Sequence, residues 1–261
     1  KNDIEPAGAL RRLKLSLLAG HDALSAYETP AHLAAINAEE LPMTSTGKVQ
    51  RVLLKKMLEG KMESVYELLH SAEFRFIVIP PQSPHAEASC ALYNHCWQPL
   101  NKNEREYKKY LGEYLTLGAV DKNNTLAGQI SFSYADTKIS CVSICSATFK
   151  PKTVPEIKEI PNVEFVRQYL LAGHDPVMLF HQKLGAELVE VTQSGRPEDK
   201  NSLGYTMLLR YPPGKDTKFS GQVSHQLIQA VRILAHDVGV EVYAVSRPGG
   251  LALYLATHHA V

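Results

Sequence analysis

Three β-rich runs joined by very short, turn-forming links constrain this chain more than any other feature. Residues 114–120, 126–134 and 138–149 are rich in β-branched, aromatic and other apolar side chains. Asp121-Lys122-Asn123-Asn124 separates the first two, and Asp136-Thr137 the next two. Links of this composition favour tight chain reversal, so the pattern predicts an antiparallel meander. A further β-rich run at 74–79 is stopped by Pro80-Pro81. Helical periodicity marks 86–97 and 103–111. The stretch 163–171 fits helix or strand equally. Residues 176–184 read as a short helix with Pro176 in its first turn and Gly185 past its end. Two more strands are expected at 187–191 and 203–211. Strands and helices in this order give an α+β fold.

The flanks have a different texture. Leu10, Leu13, Leu17 and Leu18 recur at helical spacing, which predicts a helix over 7–26. Tyr27-Glu28-Thr29-Pro30 breaks it, because the residue before a proline is pushed out of the helical region. A short strand is expected at 32–38, a loop at 42–47, a helix from 48 to 57, and a connecting helix near 60–69. Pro212-Pro213-Gly214-Lys215-Asp216 reads as a boundary. Beyond it, an amphipathic helix at 223–238 and a short strand at 241–245 are expected. Ser246-Arg247-Pro248-Gly249-Gly250 is a turn.

The chain has 261 residues, more than one typical domain of about 100–200. A net charge of +1 gives no reason to expect a nucleic-acid partner. No run of about 18–20 apolar residues predicts a membrane span, and the N-terminus lacks the pattern of a secretory signal. It opens without Met, as expected of a piece of a longer chain. Four cysteines make no disulfide framework. Cys141 and Cys145, in an apolar run with Val142 and Ile144, are expected to be reduced and packed. A cytoplasmic setting follows.

The chemistry sits in two places. The first is Pro42-Met43-Thr44-Ser45-Thr46-Gly47-Lys48-Val49-Gln50-Arg51. Gly47 permits close backbone approach and unusual dihedrals. The hydroxyls of Thr44, Ser45 and Thr46 supply turn chemistry. Lys48 brings a compact positive charge, suited to an acyl-adenylate and its pyrophosphate. Arg51, three residues on, is expected on the same helical face. With the preceding helix, Tyr27-to-Pro30 break, short strand and Glu40-Leu41-Pro42, residues 9–59 resemble the end of an adenylate-forming enzyme. That superfamily holds acyl-CoA synthetases, acyl-AMP ligases and adenylation domains. The resemblance implies that Lys48 is the lysine of the adenylation half-reaction, with Gly47 and Arg51 beside the ligand. It also implies an adenylation core domain in cis. The nucleotide-site motifs of that core are not in these residues, so ATP is implied only for the intact ligase.

The second place is Gly173-His174-Asp175-Pro176-Val177-Met178-Leu179-Phe180-His181-Gln182-Lys183-Leu184-Gly185-Ala186, continued by Arg196-Pro197-Glu198-Asp199 and Ser202-Leu203-Gly204-Tyr205. With the order of elements over 73–211, it resembles the GNAT-type acetyltransferase superfamily, in a subgroup found beside polyketide-synthase and ligase modules. The resemblance implies a mixed, mostly antiparallel sheet flanked by helices. Acetyl-CoA or another acyl-CoA would lie between two splayed strands, bonded to backbone along 138–149 near Ile144. It makes His181 the proton donor to the leaving thiolate, with Tyr205 and Asp199 as further candidates and Tyr169 in the core. The apolar Val177, Leu179, Phe180 and Leu184 should face the sheet. His181 should stand partly exposed at the cleft mouth, between strand 138–149 and the element at 163–171. The pyrophosphate loop should follow 149, where Lys150-Pro151-Lys152-Thr153-Val154-Pro155 contains no glycine. Lys150 and Lys152 then remain as the cofactor-binding charges.

The expected division is 1–59, a partial C-terminal domain of an adenylate-forming ligase (a small α/β remnant); 60–72, a linker; 73–211, the acetyltransferase-like domain; and 212–261, an unassigned extension. The expected activity is acyl activation joined to acyl-CoA-dependent acyl transfer, with a carrier protein or CoA thioester as partner. The competing expectation is a non-catalytic docking module of a megasynthase, favoured by the missing glycines. A third is a ligase fragment followed by an unrelated α+β domain, which a sheet without a splayed strand pair would favour.

Overall fold

The computed structural model describes residues 6–18, 24, 28–97, 100–146, 156–215 and 217–258. Among them the chain is α+β, with an eight-stranded mixed sheet flanked by helices. The strands are β3 (Glu67–His70), β4 (Arg75–Val78), β5 (Leu115–Val120), β6 (Leu126–Ala135), β7 (Lys138–Ser146), β8 (Glu187–Thr192), β9 (Thr206–Tyr211) and β10 (Glu241–Ser246). Their order across the sheet is β3-β4-β5-β6-β7-β10-β9-β8. Every neighbouring pair is antiparallel except β7 and β10, which run parallel. A separate antiparallel pair joins β1 (His32–Leu33) to β2 (Glu63–Ser64).

The predicted meander is β5-β6-β7, and its turns form as the side chains dictate. Asp121 Oδ1 accepts from the N–H groups of Asn123 and Thr125, and Asn124 takes a left-handed φ of 64°. The connecting helix expected near 60–69 is instead the start of the sheet. Ser71 explains the difference: its hydroxyl oxygen accepts from the N–H groups of Glu73 and Phe74. Its own N–H bonds Phe74 O at 2.8 Å, closing a hairpin between β3 and β4.

Two layers of helix cover the sheet. On one face, α3 (Ala86–Cys96) and α4 (Glu104–Glu113) pack Ala86, Cys90, Tyr93, Tyr107 and Leu111 on Ile77, Ile79 and Val120. On the other, α7 (Val223–Val238) crosses β5, β6, β7 and β10. Its Leu227, Ala230, Val231 and Leu234 are almost wholly buried. The helix α1 (Pro6–Leu18) lies on α7, with Leu15 buried and Arg11 paired to the buried Asp237 at 2.5 Å. Lys14 is buried too, donating to Glu63 Oε2 at 2.8 Å and Glu67 O at 2.7 Å. The remaining α-helices among the described residues are α2 (Arg51–Leu58), α5 (Val163–Leu171), α6 (Pro176–Lys183) and α8 (Leu251–His258).

The stretch left open at 163–171 is α5. Asn162 decides it, accepting from Phe165 N–H as an N-cap. The strand beside β7 is therefore not that element but β10, from the segment after 212. A cut at 211 would separate β9 from the strand it pairs with. All four cysteines are free, as expected, with Cys90 and Cys145 buried.

Candidate functional site

The parallel strands β7 and β10 pair only over their first four residues, from Lys138 opposite Glu241 to Cys141 opposite Ala244. Past that point each turns to its other neighbour. β7 continues to Ser146 along β6, and β10 continues to Ser246 along β9. The register of β6 and β7 shifts where Ser143 and Cys141 face consecutive β6 residues, leaving Val142 as an extra residue. A bulge of this kind bends its strand, and here it lies where β7 leaves β10. Ile144 is on the diverging part of β7, half-buried.

His181 reaches this fork from α6. Asp175 starts that helix: its Oδ1 accepts from the N–H groups of Val177 and Met178, both at 2.9 Å, and Pro176 fits the first turn. The inward face of α6 carries Met178 and His181, while Leu179 is exposed and Val177 and Phe180 are half-buried. The apolar face expected from the sequence is thus rotated, because His181 takes an inward position. It is 5% exposed and not at an open rim. Its Nδ1 bonds the Tyr211 hydroxyl on β9, and its Nε2 lies 3.1 Å from Ser246 Oγ at the end of β10. Burial pushes its pKa down to about 4, so the ring is neutral at neutral pH. Burial, and next the Cys141 thiol, push the Tyr211 hydroxyl well above the usual tyrosine range, while Arg232 opposes them.

Around the same turn the motif residues converge. Asp175 Oδ2 accepts from Gly250 N–H at 2.8 Å and from the Tyr169 hydroxyl at 3.1 Å. Asp199 Oδ2 pairs with Arg247 Nη1 at 2.5 Å. Asp175, His181 and Asp199 therefore hold Gly250, Ser246 and Arg247 of a single five-residue turn. Gly249 and Gly250 let that turn lie against α6: a Cβ there would stand 2.8 Å from Val177 Cγ2 and Pro176 Cδ respectively. No local sequence signal places this turn at the site, because its partners lie 48 to 75 residues away. Tyr205 is fully buried and donates its hydroxyl to Pro161 O. Tyr169 is in the core as expected.

The lysine loop forms its own small structure. Met43 and Val49 pair as an isolated antiparallel bridge, with Gly47 at φ 76°. Thr44 N–H donates to Lys48 O at 2.8 Å, and Lys48 N–H donates to Thr44 Oγ1 at 3.0 Å. The helix begins at Arg51, so Lys48 precedes it and does not share a helical face with Arg51. Gly47, Lys48 and Arg51 are all exposed. Lys48 and His181 lie in separate parts of the fold. Lys150 and Lys152, and the loop in which they stand, lie outside the described residues. Among the described residues no cluster of His, Cys, Asp and Glu is arranged to hold a metal ion. No helix among them is long and apolar enough to cross a membrane. No protein-family model, curated protein or solved structure matches this chain.

Proposed function

We propose that this chain carries an acyl-CoA-dependent acyltransferase domain joined to the tail of an acyl-adenylate-forming ligase. The observation that carries the reading is the fork between β7 and β10, with a buried neutral histidine network at its β10 side. A forked parallel pair leaves backbone groups on the diverging strand free to bond an extended ligand. The long helix leading into the strand parallel to β7 is α7, and Val223 in its first turn lies over Gly128 of β6. Lys218-Phe219-Ser220-Gly221 precedes that helix, Gly221 has φ 77°, and no side chain caps its N-terminus. Lysine, glycine and a long helix start are the parts a pyrophosphate needs. In this reading they stand after β9, in place of the glycine-less stretch after 149.

Lys48 belongs to the ligase half and acts only when an adenylation core is present in the same polypeptide. The acyl group activated there passes, as CoA or carrier thioester, to the fork. Isothermal titration with acetyl-CoA tests the acyltransferase half. Saturable binding that weakens on Lys218→Ala is expected; no heat at millimolar ligand overturns the reading. The second reading, a docking module, is favoured by the apolar residues that β8 and β10 leave in solvent, Val189 and Val245. Retention of an adenylation domain or carrier protein by a chain that binds no CoA would support it.

A further inference from the structure

Within the acyltransferase reading, on which this inference rests, the residue able to touch the reacting atoms is not His181. Its side chain is nearly sealed, and both ring nitrogens are already held by protein hydroxyls. Tyr211 is 2% exposed. Of the three hydroxyl and imidazole groups in the chain Tyr211–His181–Ser246, only Ser246 is half-open to solvent. It is also the last residue of β10, two positions past the final β7 pair. Its turn is clamped by Asp175 at Gly250 and by Asp199 at Arg247, which fixes the backbone that carries it.

We propose that Ser246 is a proton-shuttling catalytic residue and that His181, oriented by Tyr211, positions its hydroxyl. The acceptor nitrogen forms a bond to the thioester carbonyl carbon, and the carbon–sulfur bond breaks with its electron pair leaving on sulfur. The Ser246 O–H gives its proton to that sulfur. The Ser246 oxygen takes a proton from the attacking nitrogen. The products are an amide and a free thiol, and Ser246 ends as it began. No charge accumulates on the protein, which suits an imidazole kept neutral by burial. His181 Nε2 holds the hydroxyl along one direction, so that both transfers happen through a fixed oxygen.

The dependence on leaving group separates this role from a structural one. With acetyl-CoA as donor and hydroxylamine as acceptor, Ser246→Ala should lower the rate constant by about 10²-fold or more. CoA affinity by titration should stay within about 2-fold, since a transition-state contact is lost and no ground-state one. Ser246→Thr, which keeps a hydroxyl, should recover most of the rate and guards against a folding artefact. A nitrothiophenyl acetate thioester needs no proton on its departing sulfur, and with it the Ser246→Ala deficit should shrink to within about 3-fold. Wild-type turnover of acetyl-CoA that Ser246→Ala leaves unchanged overturns the shuttle alone. An equal deficit with both donors also overturns it, since the role would then be structural. A wild-type chain that binds no CoA and cleaves no thioester overturns the shuttle together with the reading beneath it.

Discussion

Residues 28–64 and those after β3 obey different physics. From 28 to 64 no residue is buried, although the stretch includes Met43, Val49, Val52, Leu53 and Met62, each 40% exposed or more. Its order comes from local hydrogen bonds: Thr44 to Lys48, Gln50 to Pro42 and Met43. After β3, side chains such as Phe76, Leu117, Leu209 and Leu234 are fully buried, each stabilising by about 2 kcal/mol relative to exposure. The lesson is that shape and anchorage are separable. A turn encoded by Thr, Gly and Gln keeps its form without a core, through hydrogen bonds made within the turn itself. Under the proposed function, a ligase tail that closes on another domain would use such a design, and a site that holds a hydroxyl in place would use the opposite.

The largest expected effect belongs to the buried side. Asp175 is fully buried and accepts four hydrogen bonds. Asp175→Ala removes an N-cap and strands the Tyr169 hydroxyl and the Gly250 N–H, at a combined cost of about 3–5 kcal/mol. Thr44→Ala removes hydrogen bonds from the exposed loop and should cost less than about 0.5 kcal/mol. Urea unfolding of both variants checks the contrast, and near-equal losses would break it.

A slightly smaller effect comes from protonation. In the fold His181 has its pKa lowered to about 4, against an ordinary 6.5. Between these values the unfolded chain binds the proton and the folded one does not, so stability rises with pH across this window. The contribution is present in full above pH 6.5 and falls away as pH drops towards 4, by about 3 kcal/mol. The groups that face the ring or its partners are Tyr211 on β9, Ser246 on β10, Cys141 on β7 and Arg232 on α7. None of them titrates between pH 4 and 6.5 at its ordinary value; His85 and His225, whose pKa values burial also lowers, add to the slope in the same direction, so the share of His181 is the part that its removal takes away. Its removal in His181→Gln, measured by denaturant melts at several pH values, sharpens the contrast. An unchanged slope would place the acid sensitivity elsewhere.

Lys48 tests the other region by activity. In a polypeptide that includes the adenylation core, Lys48→Ala should lower acyl-adenylate formation by about 10²-fold, the scale for removing one preorganised charge-stabilising group. Its melting temperature should not move, because Lys48 is exposed. Pyrophosphate exchange checks the rate, and an unchanged rate would remove Lys48 from the chemistry.

What the sequence made legible divides along similar lines. The hairpins β5-β6 and β6-β7 were readable because their turns contain their own instructions, as Asp121 and Asn124 do. α6 was readable from Asp175-Pro176 and Gly185. The neighbour of β7 was not, since a parallel pair needs a long crossover and no local residue announces it. His181 was found through its motif, but its inward turn was not, because burial of a polar ring depends on Tyr211 and Ser246 arriving from elsewhere. The burial of Lys14 is not legible in its own helix for the same reason: Glu63 and the Glu67 carbonyl, which stabilise it, are about fifty residues away.

The smallest expected effect is also a sharp test of the comparison. Val52 is 74% exposed and Leu53 46%, both on α2, which has no buried residue. Two adjacent branched apolar side chains in water contribute almost nothing to the stability of this chain. Val52→Ser together with Leu53→Gln should therefore change the unfolding free energy by no more than about 0.5 kcal/mol. Helix propensity works in both directions here, since Gln is a good helix former and Ser a poor one. If the stretch instead docks on the sheet, the pair would cost about 3 kcal/mol in lost burial, and the two regions would be one. In a polypeptide with an adenylation core, the same double variant should weaken the closed arrangement in which Lys48 meets the adenylate. That effect would appear in exchange kinetics and not in the melting of the 261-residue chain. A stability change confined to the longer polypeptide would locate the surface that α2 covers.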